Sequence, residues 1–391
     1  MRRTYSYAAM TKDAAQRRRW TFYEVVRIKR MLKVAIIGAS GYTGGELLRL
    51  LSRHPHVDII AATSEKSSGK PLSQIFPNLK NFFNLTFQPL DPKKLSEEAD
   101  FIFTALPHGR SIGPVAEFVK HGKRVVDLSA DFRLKDPSLY EKWYGDKHTD
   151  IALLKDAVYG LPELYRDKIK DSFLVANPGC YPTASILALA PLMKCELTKS
   201  GLMKSELMRG GVEIRGQIYI DAKSGISGAG RSPALSYHFP EVHEGLEAYK
   251  VGTHRHIPEI EQILSEIAGV NIQVCFVPHL TPVNRGLLST VYVPLSSHAG
   301  LEDISGLYQK FYSNEPFIRV LDPGLQPNIR DVRGANFCDI GLALDSRNNC
   351  LIITAVIDNL VKGAAGTAVQ NMNIMMGFGE TTGLMHPGLF P

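Results

Sequence analysis

From residue 31 onward, short apolar runs alternate with longer stretches whose apolar positions recur every three or four residues. Residues 32–37, 57–62, 100–105, 124–128 and 173–176 read as strands, and 43–52 and 111–120 read as amphipathic helices between them. Strands spaced by helices in this way predict a parallel sheet covered on both faces. Residues 135–172 are more polar and read as irregular. After an apolar helix over 182–193 the grammar changes. Residues 218–222, 272–278 and 287–294 look like strands of a mixed or antiparallel sheet, with helices over 258–268 and 302–312. Residues 339–345 and 350–358 form a hairpin around Ser346, Arg347, Asn348 and Asn349, and a last helix covers 364–376. The fold class expected is α/β: a Rossmann dinucleotide-binding domain with an inserted α+β catalytic and oligomerisation domain.

The 391 residues are too many for one ordinary core, so two domains are expected. No apolar run approaches the roughly 18 residues of a membrane span, so no membrane partner is expected. The five cysteines (Cys180, Cys195, Cys275, Cys338, Cys350) are scattered and lack CxxC spacing. That argues against a disulfide framework and a zinc site, and for a reducing compartment.

The net charge of +6 comes from one end of the chain. Residues 1–30 hold nine basic residues against two acids, whereas the remaining 361 hold 36 basic against 37 acidic. The body is nearly neutral, which speaks against a nucleic-acid partner. The leader lacks the apolar stretch of a secretory signal. Its Arg-richness suits a transit peptide, but Met31 just before the first strand equally suits an overextended start, and a disordered tail is the third reading. The expected compartment is the cytoplasm, or a plastid or mitochondrion if residues 1–30 are a transit peptide.

Gly38, Ala39, Ser40, Gly41, Tyr42, Thr43 and Gly44 follow a strand and open a helix, the context of a dinucleotide fingerprint. The first glycine permits a tight turn, the second lets a pyrophosphate approach the backbone, and the third packs helix on strand. The end of the second strand runs Ala62, Thr63, Ser64, Glu65, Lys66. Its hydroxyls, with Ser64 and Lys66 foremost, suit the 2′-phosphate of NADP, while Glu65 opposes that choice. Pro107, His108 and Gly109 follow the third strand and belong over the strand ends, where ligands bind.

Asn177, Pro178, Gly179, Cys180, Tyr181, Pro182 and Thr183 stop a strand and start a helix. A thiolate there would sit at the positive helix end, which lowers its pKa and exposes it for nucleophilic attack. Downstream, His254, Arg255 and His256 precede a helix. One histidine could serve as acid/base and Arg255 could hold an anionic substrate. His238 and His243 read as ordinary surface or core residues, and no carboxylate spacing supports a metal.

These segments, with Ser129 to Arg133, Ser224 to Arg231 and Asp358 to Ala364, occur in one order. Together they resemble the N-acetyl-gamma-glutamyl-phosphate reductases, relatives of aspartate-semialdehyde dehydrogenase, from Met31 to the C-terminus. The resemblance implies NADPH-dependent reduction of an acyl phosphate through a Cys180 thioester, in arginine biosynthesis. It implies His256 as general acid/base with His254 assisting, and Arg133, Asn177, Arg231 and Arg255 at the substrate. Asn359 and Lys362 return the chain to the cofactor domain, with Asn359 at the cofactor. That domain is then residues 31–180 with 360–391, and the catalytic domain is 181–359. The resemblance also implies a homodimer or homotetramer. Residues 203–216 lengthen a connection that the family keeps short, which predicts a surface loop clear of the site. Reductases of aspartyl phosphate or of a carrier-linked aminoadipyl phosphate are the rivals, with the pocket around His254, Arg255 and Arg285 as the discriminating feature. A nucleotide-sensing regulator would lack the nucleophile and histidines present here.

Overall fold

The computed structural model describes residues 31–194, 214–296 and 299–390. The leader 1–30, Cys195 and residues 203–213 of the long connection lie outside them. At the end of that connection Ile214 bridges to Leu295 and the Arg215 N–H donates to Pro294 O.

Six strands make a parallel sheet: β1 (Leu32–Ile37), β2 (Val57–Ala62), β3 (Phe101–Thr104), β4 (Arg124–Asp127), β5 (Val158–Tyr159) and β6 (Leu174–Ala176), in the order β2-β1-β3-β4-β6-β5. The reversal of order between β1 and β3 makes a crevice at the carboxyl ends of the strands. The short runs fold as strands here because helices cover both faces, so β1, β3 and β6 are buried almost throughout.

A second sheet comprises β7 (Ile218–Gly225), β8 (Glu247–Ala248), β9 (Val274–Thr281), β10 (Leu287–Pro294), β11 (Ile318–Val320), β12 (Cys338–Asp345) and β13 (Cys350–Ile357). Its order is β11-β12-β13-β10-β7-β9-β8, and it is mixed: β7 with β9 and β11 with β12 are parallel, the other pairs antiparallel. The expected hairpin is there, with Asp345 opposite Cys350. One face of this sheet packs on the core, and the other leaves Tyr219, Cys275 and Tyr292 exposed as cross-strand neighbours. Cys275 is exposed on that face, whereas Cys338 is fully buried.

The apolar helix runs over Cys180–Lys194, and residues 181–193 are all buried. It packs against β10, β13 and the Ile257–Ala268 helix, and a helix apolar all round belongs inside. Residues 135–172 are not irregular. They form helices Pro137–Tyr144, Ile151–Asp156 and Pro162–Asp171 with β5 between the last two. Their signals were local. The Asp136 and Asp150 carboxylates accept the Ser138 and Leu153 N–H groups as N-caps, Pro137 and Pro162 open helices, and Gly145 closes one at φ 85°. The last helix, Gly366–Met375, is preceded by a π-helical turn over Val361–Ala365 and packs on the Tyr42–Leu51 and Pro162–Asp171 helices.

Candidate active site

The glycine loop behaves as its spacing requires. Gly38 has φ +76°, and a Cβ there would lie 2.7 Å from Ala105 O. A Cβ on Gly44 would fall 2.4 Å from Ala39 O, so this glycine lets helix meet strand. Gly41 faces open space, the approach a pyrophosphate needs. Tyr42, Thr43 and the free N–H groups of the Tyr42–Leu51 helix follow at the same edge. The residues present therefore fit a dinucleotide.

At the end of β2 the Ser64 and Ser40 hydroxyls are 2.8 Å apart, and Thr63 Oγ1 accepts the Gly38 N–H. Glu65 accepts the Leu90 N–H, and Lys66 is exposed. The 107–109 turn is held by the buried Asp131, which accepts the Gly109 and Ser111 N–H groups and the Tyr140 hydroxyl. His108 Nδ1 accepts the Ala130 N–H.

Cys180 is the first residue of its helix. The preceding turn is built on a buried ion pair that sequence reasoning did not find. Glu259 Oε1 accepts the Gly179 N–H at 2.9 Å and the Tyr159 hydroxyl at 2.8 Å, while its Oε2 takes Arg133 Nη1 at 3.2 Å. Arg133 also donates to Asn177 O and Leu128 O. Three of its donor groups are thus committed to the protein, which makes it a buttress of the cysteine turn as well as a residue lining the cleft. Glu259 had one sequence signal, an acid in the first turn of a helix, and that signal reads as ordinary dipole compensation.

Glycine at 179 is a steric requirement. A Cβ there would lie 2.4 Å from His256 Nε2 and 2.9 Å from Arg133 Nη1. On the other side a Cβ on Gly363 would come within 2.7 Å of Cys180 Cβ. His256 and Cys180 line one cleft of about 430 Å³ with Gly41, His108, Arg231 and Asn359. His254 is not among the lining residues. It is buried among Tyr181, Tyr249 and Phe276, and its Nδ1 accepts the His256 N–H at 3.1 Å.

The electrostatics correct one expectation. Burial pushes the Cys180 thiol up to about 11, outweighing the Tyr181 amide and the Arg133 charge that favour the thiolate. The helix start therefore does not hold a resting thiolate. Burial, reinforced by His254 and Arg133, holds His256 well below the ordinary imidazole range, and burial takes His254 down to about 4. The pair at rest is a neutral thiol beside a neutral imidazole, which is a proton acceptor.

The remaining expected residues divide. Arg231 reaches the glycine loop, donating from Nη1 to Ser40 O at 3.0 Å. Arg255 is exposed, stacks over Tyr144 at 5.1 Å and does not line the cleft. Asn177 is buried, donating to Ala364 O and accepting from Asn371, so it ties β6 to the C-terminal segment. Asn359 accepts the Gly286 N–H and donates to Ser227 Oγ at the cleft wall. Lys362 is fully buried against Glu163 and Gln370, and Arg285 pairs with Glu46 and Asp358. Among the described residues there is no group of three or more His, Cys, Asp or Glu placed to hold a metal ion. No helix among them is long and apolar enough to cross a membrane.

Comparison with known proteins matches residues 33–172 to the semialdehyde dehydrogenase NAD binding domain and residues 180–359 to the semialdehyde dehydrogenase dimerisation domain. The chain belongs to the semialdehyde dehydrogenase family. Within the family it is 52% identical over 362 residues to the N-acetyl-gamma-glutamyl-phosphate reductase of Geobacter metallireducens, covering 92% of this chain and 100% of that one. The reductase of the same name from Pelotomaculum thermopropionicum is 50% identical over 360 residues, covering 92% and 99%. Among solved structures, aspartate semialdehyde dehydrogenase II of Vibrio cholerae superposes with a TM-score of 0.65 at 18% identity, covering 89% of this chain and 99% of that one. The Candida albicans aspartate semialdehyde dehydrogenase with NADP gives 0.64 at 18%, covering 88% and 98%. At that identity the structures establish the shared family fold.

Proposed function

We propose that the chain reduces N-acetyl-gamma-glutamyl phosphate to N-acetylglutamate 5-semialdehyde with release of phosphate, using NADPH and a Cys180 thioester. The observation that carries this reading is His256 Nε2 packed against Gly179, beside Cys180, in the cleft that the glycine loop also lines. The relatives that are about half identical over the whole body supply the substrate.

His256 Nε2 takes the Cys180 proton as Sγ attacks the acyl carbon, and the acyl–phosphate bond breaks. Phosphate leaves and takes up a proton from water, and the acyl group stays on sulfur as a thioester. NADPH, when bound along the glycine loop, would supply a hydride to the thioester carbon, leaving a thiohemiacetal oxyanion on the Cys180 sulfur. The Cys180–carbon bond then breaks as the aldehyde forms, and the His256 imidazolium returns its proton to sulfur. Arg133 and Glu259 hold the turn, His254 orients His256 through its backbone N–H, and Asn177, Pro107 and His108 line the cleft.

In this reading residues 31–180 and 360–391 form the NADP-binding domain and 181–359 the catalytic one. The exposed face with Tyr219, Cys275 and Tyr292 serves a homodimer or homotetramer, and the cytoplasm is the compartment. The test is phosphate-dependent reduction of NADP⁺ by N-acetylglutamate semialdehyde, with Cys180→Ser and aspartate semialdehyde as controls. Activity confined to wild type with the acetylated substrate supports the reading. Activity with aspartate semialdehyde alone, or retained by the serine variant, overturns it.

A further inference from the structure

The nucleotide end of the cleft contains a cation that the glycine fingerprint does not supply. In a Rossmann sheet the adenosine ribose lies at the end of the second strand, where NAD enzymes place an acid on the 2′-hydroxyl. Here the end of β2 offers the Ser64 hydroxyl, paired with Ser40 at 2.8 Å, and the first acid, Glu65, is turned to the Leu90 N–H. Two hydroxyls can donate to a phosphate but carry no charge, and Lys66, the cation that follows them on this strand end, is exposed. Arg231 arrives from across the cleft, out of the 181–359 segment that carries His256. Its Nη1 lies 3.0 Å from Ser40 O, in the residue whose hydroxyl meets Ser64. The guanidinium carbon lies 5.4 Å from the centroid of the Phe76 ring, a cation–π contact. Among the described residues no carboxylate pairs with it, so its charge is available to a ligand. A guanidinium beside two hydroxyls matches a phosphate oxygen set better than a point charge would.

We propose that Arg231 is a specificity-determining residue for the 2′-phosphate of the cofactor, acting from the far side of the cleft together with the Ser40–Ser64 hydroxyl pair. This rests on the NADPH reading above and moves Arg231 from the substrate to the nucleotide. Cofactor selection then also ties the two halves of the cleft together, because the 2′-phosphate bridges a residue of each.

The experiment is a fluorescence titration of the full chain with NADPH and with NADH, for wild type, Arg231→Gln, Arg231→Lys and Ser64→Ala. Wild type prefers NADPH. The glutamine variant binds NADPH about ten- to a hundred-fold more weakly and NADH within about two-fold of wild type, the range of one charge-assisted phosphate contact. The lysine variant recovers part of the loss, and Ser64→Ala loses NADPH affinity in the same sense but by less. Equal weakening of both nucleotides by Arg231→Gln overturns the proposal, because the guanidinium then serves a part they share. A wild-type preference for NADPH that survives Arg231→Gln overturns the assignment of Arg231 alone. Equal wild-type affinity for the two nucleotides overturns the NADPH reading itself, and the proposal with it.

Discussion

The Glu259 carboxylate accepts the Gly179 N–H at 2.9 Å, so the residue before Cys180 hangs from the helix whose first turn follows His256. His256 and Cys180 are therefore positioned by one buried group.

Glu259→Gln removes the charge facing Arg133 but keeps the shape. The Glu259 charge raises the Cys180 thiol pKa and the Arg133 charge lowers it, so losing the carboxylate lowers the thiol pKa. Alkylation of Cys180 by iodoacetamide at neutral pH is expected to quicken while kcat falls. Because an uncompensated buried guanidinium costs about 3–5 kcal/mol, the unfolding midpoint in denaturant drops as well. Unchanged alkylation with unchanged kcat would show that the pair does not govern the turn.

Gly179→Ala places a methyl 2.4 Å from His256 Nε2. The imidazole must move, and a displacement of this order at a reacting centre costs about a hundred-fold in rate. Steady-state kinetics are expected to show the loss in kcat with NADPH affinity retained.

The two histidines separate by kinetics. His256→Asn is expected to lose about 10²- to 10⁴-fold in kcat. His254→Asn removes the Nδ1 acceptor of the His256 N–H and is expected to lose less. Comparable losses for the two, with equal effects on KM, would contradict the division of roles.

His254 also sets a pH dependence of stability. Its folded pKa of about 4 lies below the ordinary 6.5, so the unfolded chain binds the extra proton between those values. Stability is full above pH 6.5 and is lost as pH falls from there toward 4. Urea midpoints measured from pH 7.5 to 4.5 should fall more steeply for wild type than for His254→Asn.

Lys362→Met strands the Glu163 carboxylate in the interior, where both side chains are fully buried. The expected loss is about 3–5 kcal/mol, and Lys362→Met with Glu163→Leu recovers part of it, since an apolar pair avoids the stranded charge. Denaturant unfolding of the single and double variants checks this.

Much of the site was legible in the chain because its signals are local. The glycines at 38, 41 and 44 and the cysteine turn at 177–183 carry their meaning within a few residues, as turns and helix starts do. The helices of 135–172 were missed, because the polarity of the stretch reads as irregular chain and outweighs the cap signals at Asp136, Asp150 and the prolines. Periodicity carried the parallel sheet, but not β5, β8 and β11, which are two or three residues long and exist only by pairing with longer neighbours.

By itself, then, the amino-acid sequence determined the strand–helix alternation, the glycine loop, the cysteine turn at a helix start and the pair of histidines before a helix. Which histidine meets the cysteine was decided by tertiary structure, because it depends on a glycine 77 residues earlier having no side chain. The same holds for the protonation of Cys180, set by burial rather than by its place on a helix, and for the partners of Arg133 and Arg231. Arg133 meets Glu259 across 126 residues and Arg231 meets Ser40 across 191. Desolvation and long-range pairing depend on what the folded chain brings near a group, and no local pattern records that.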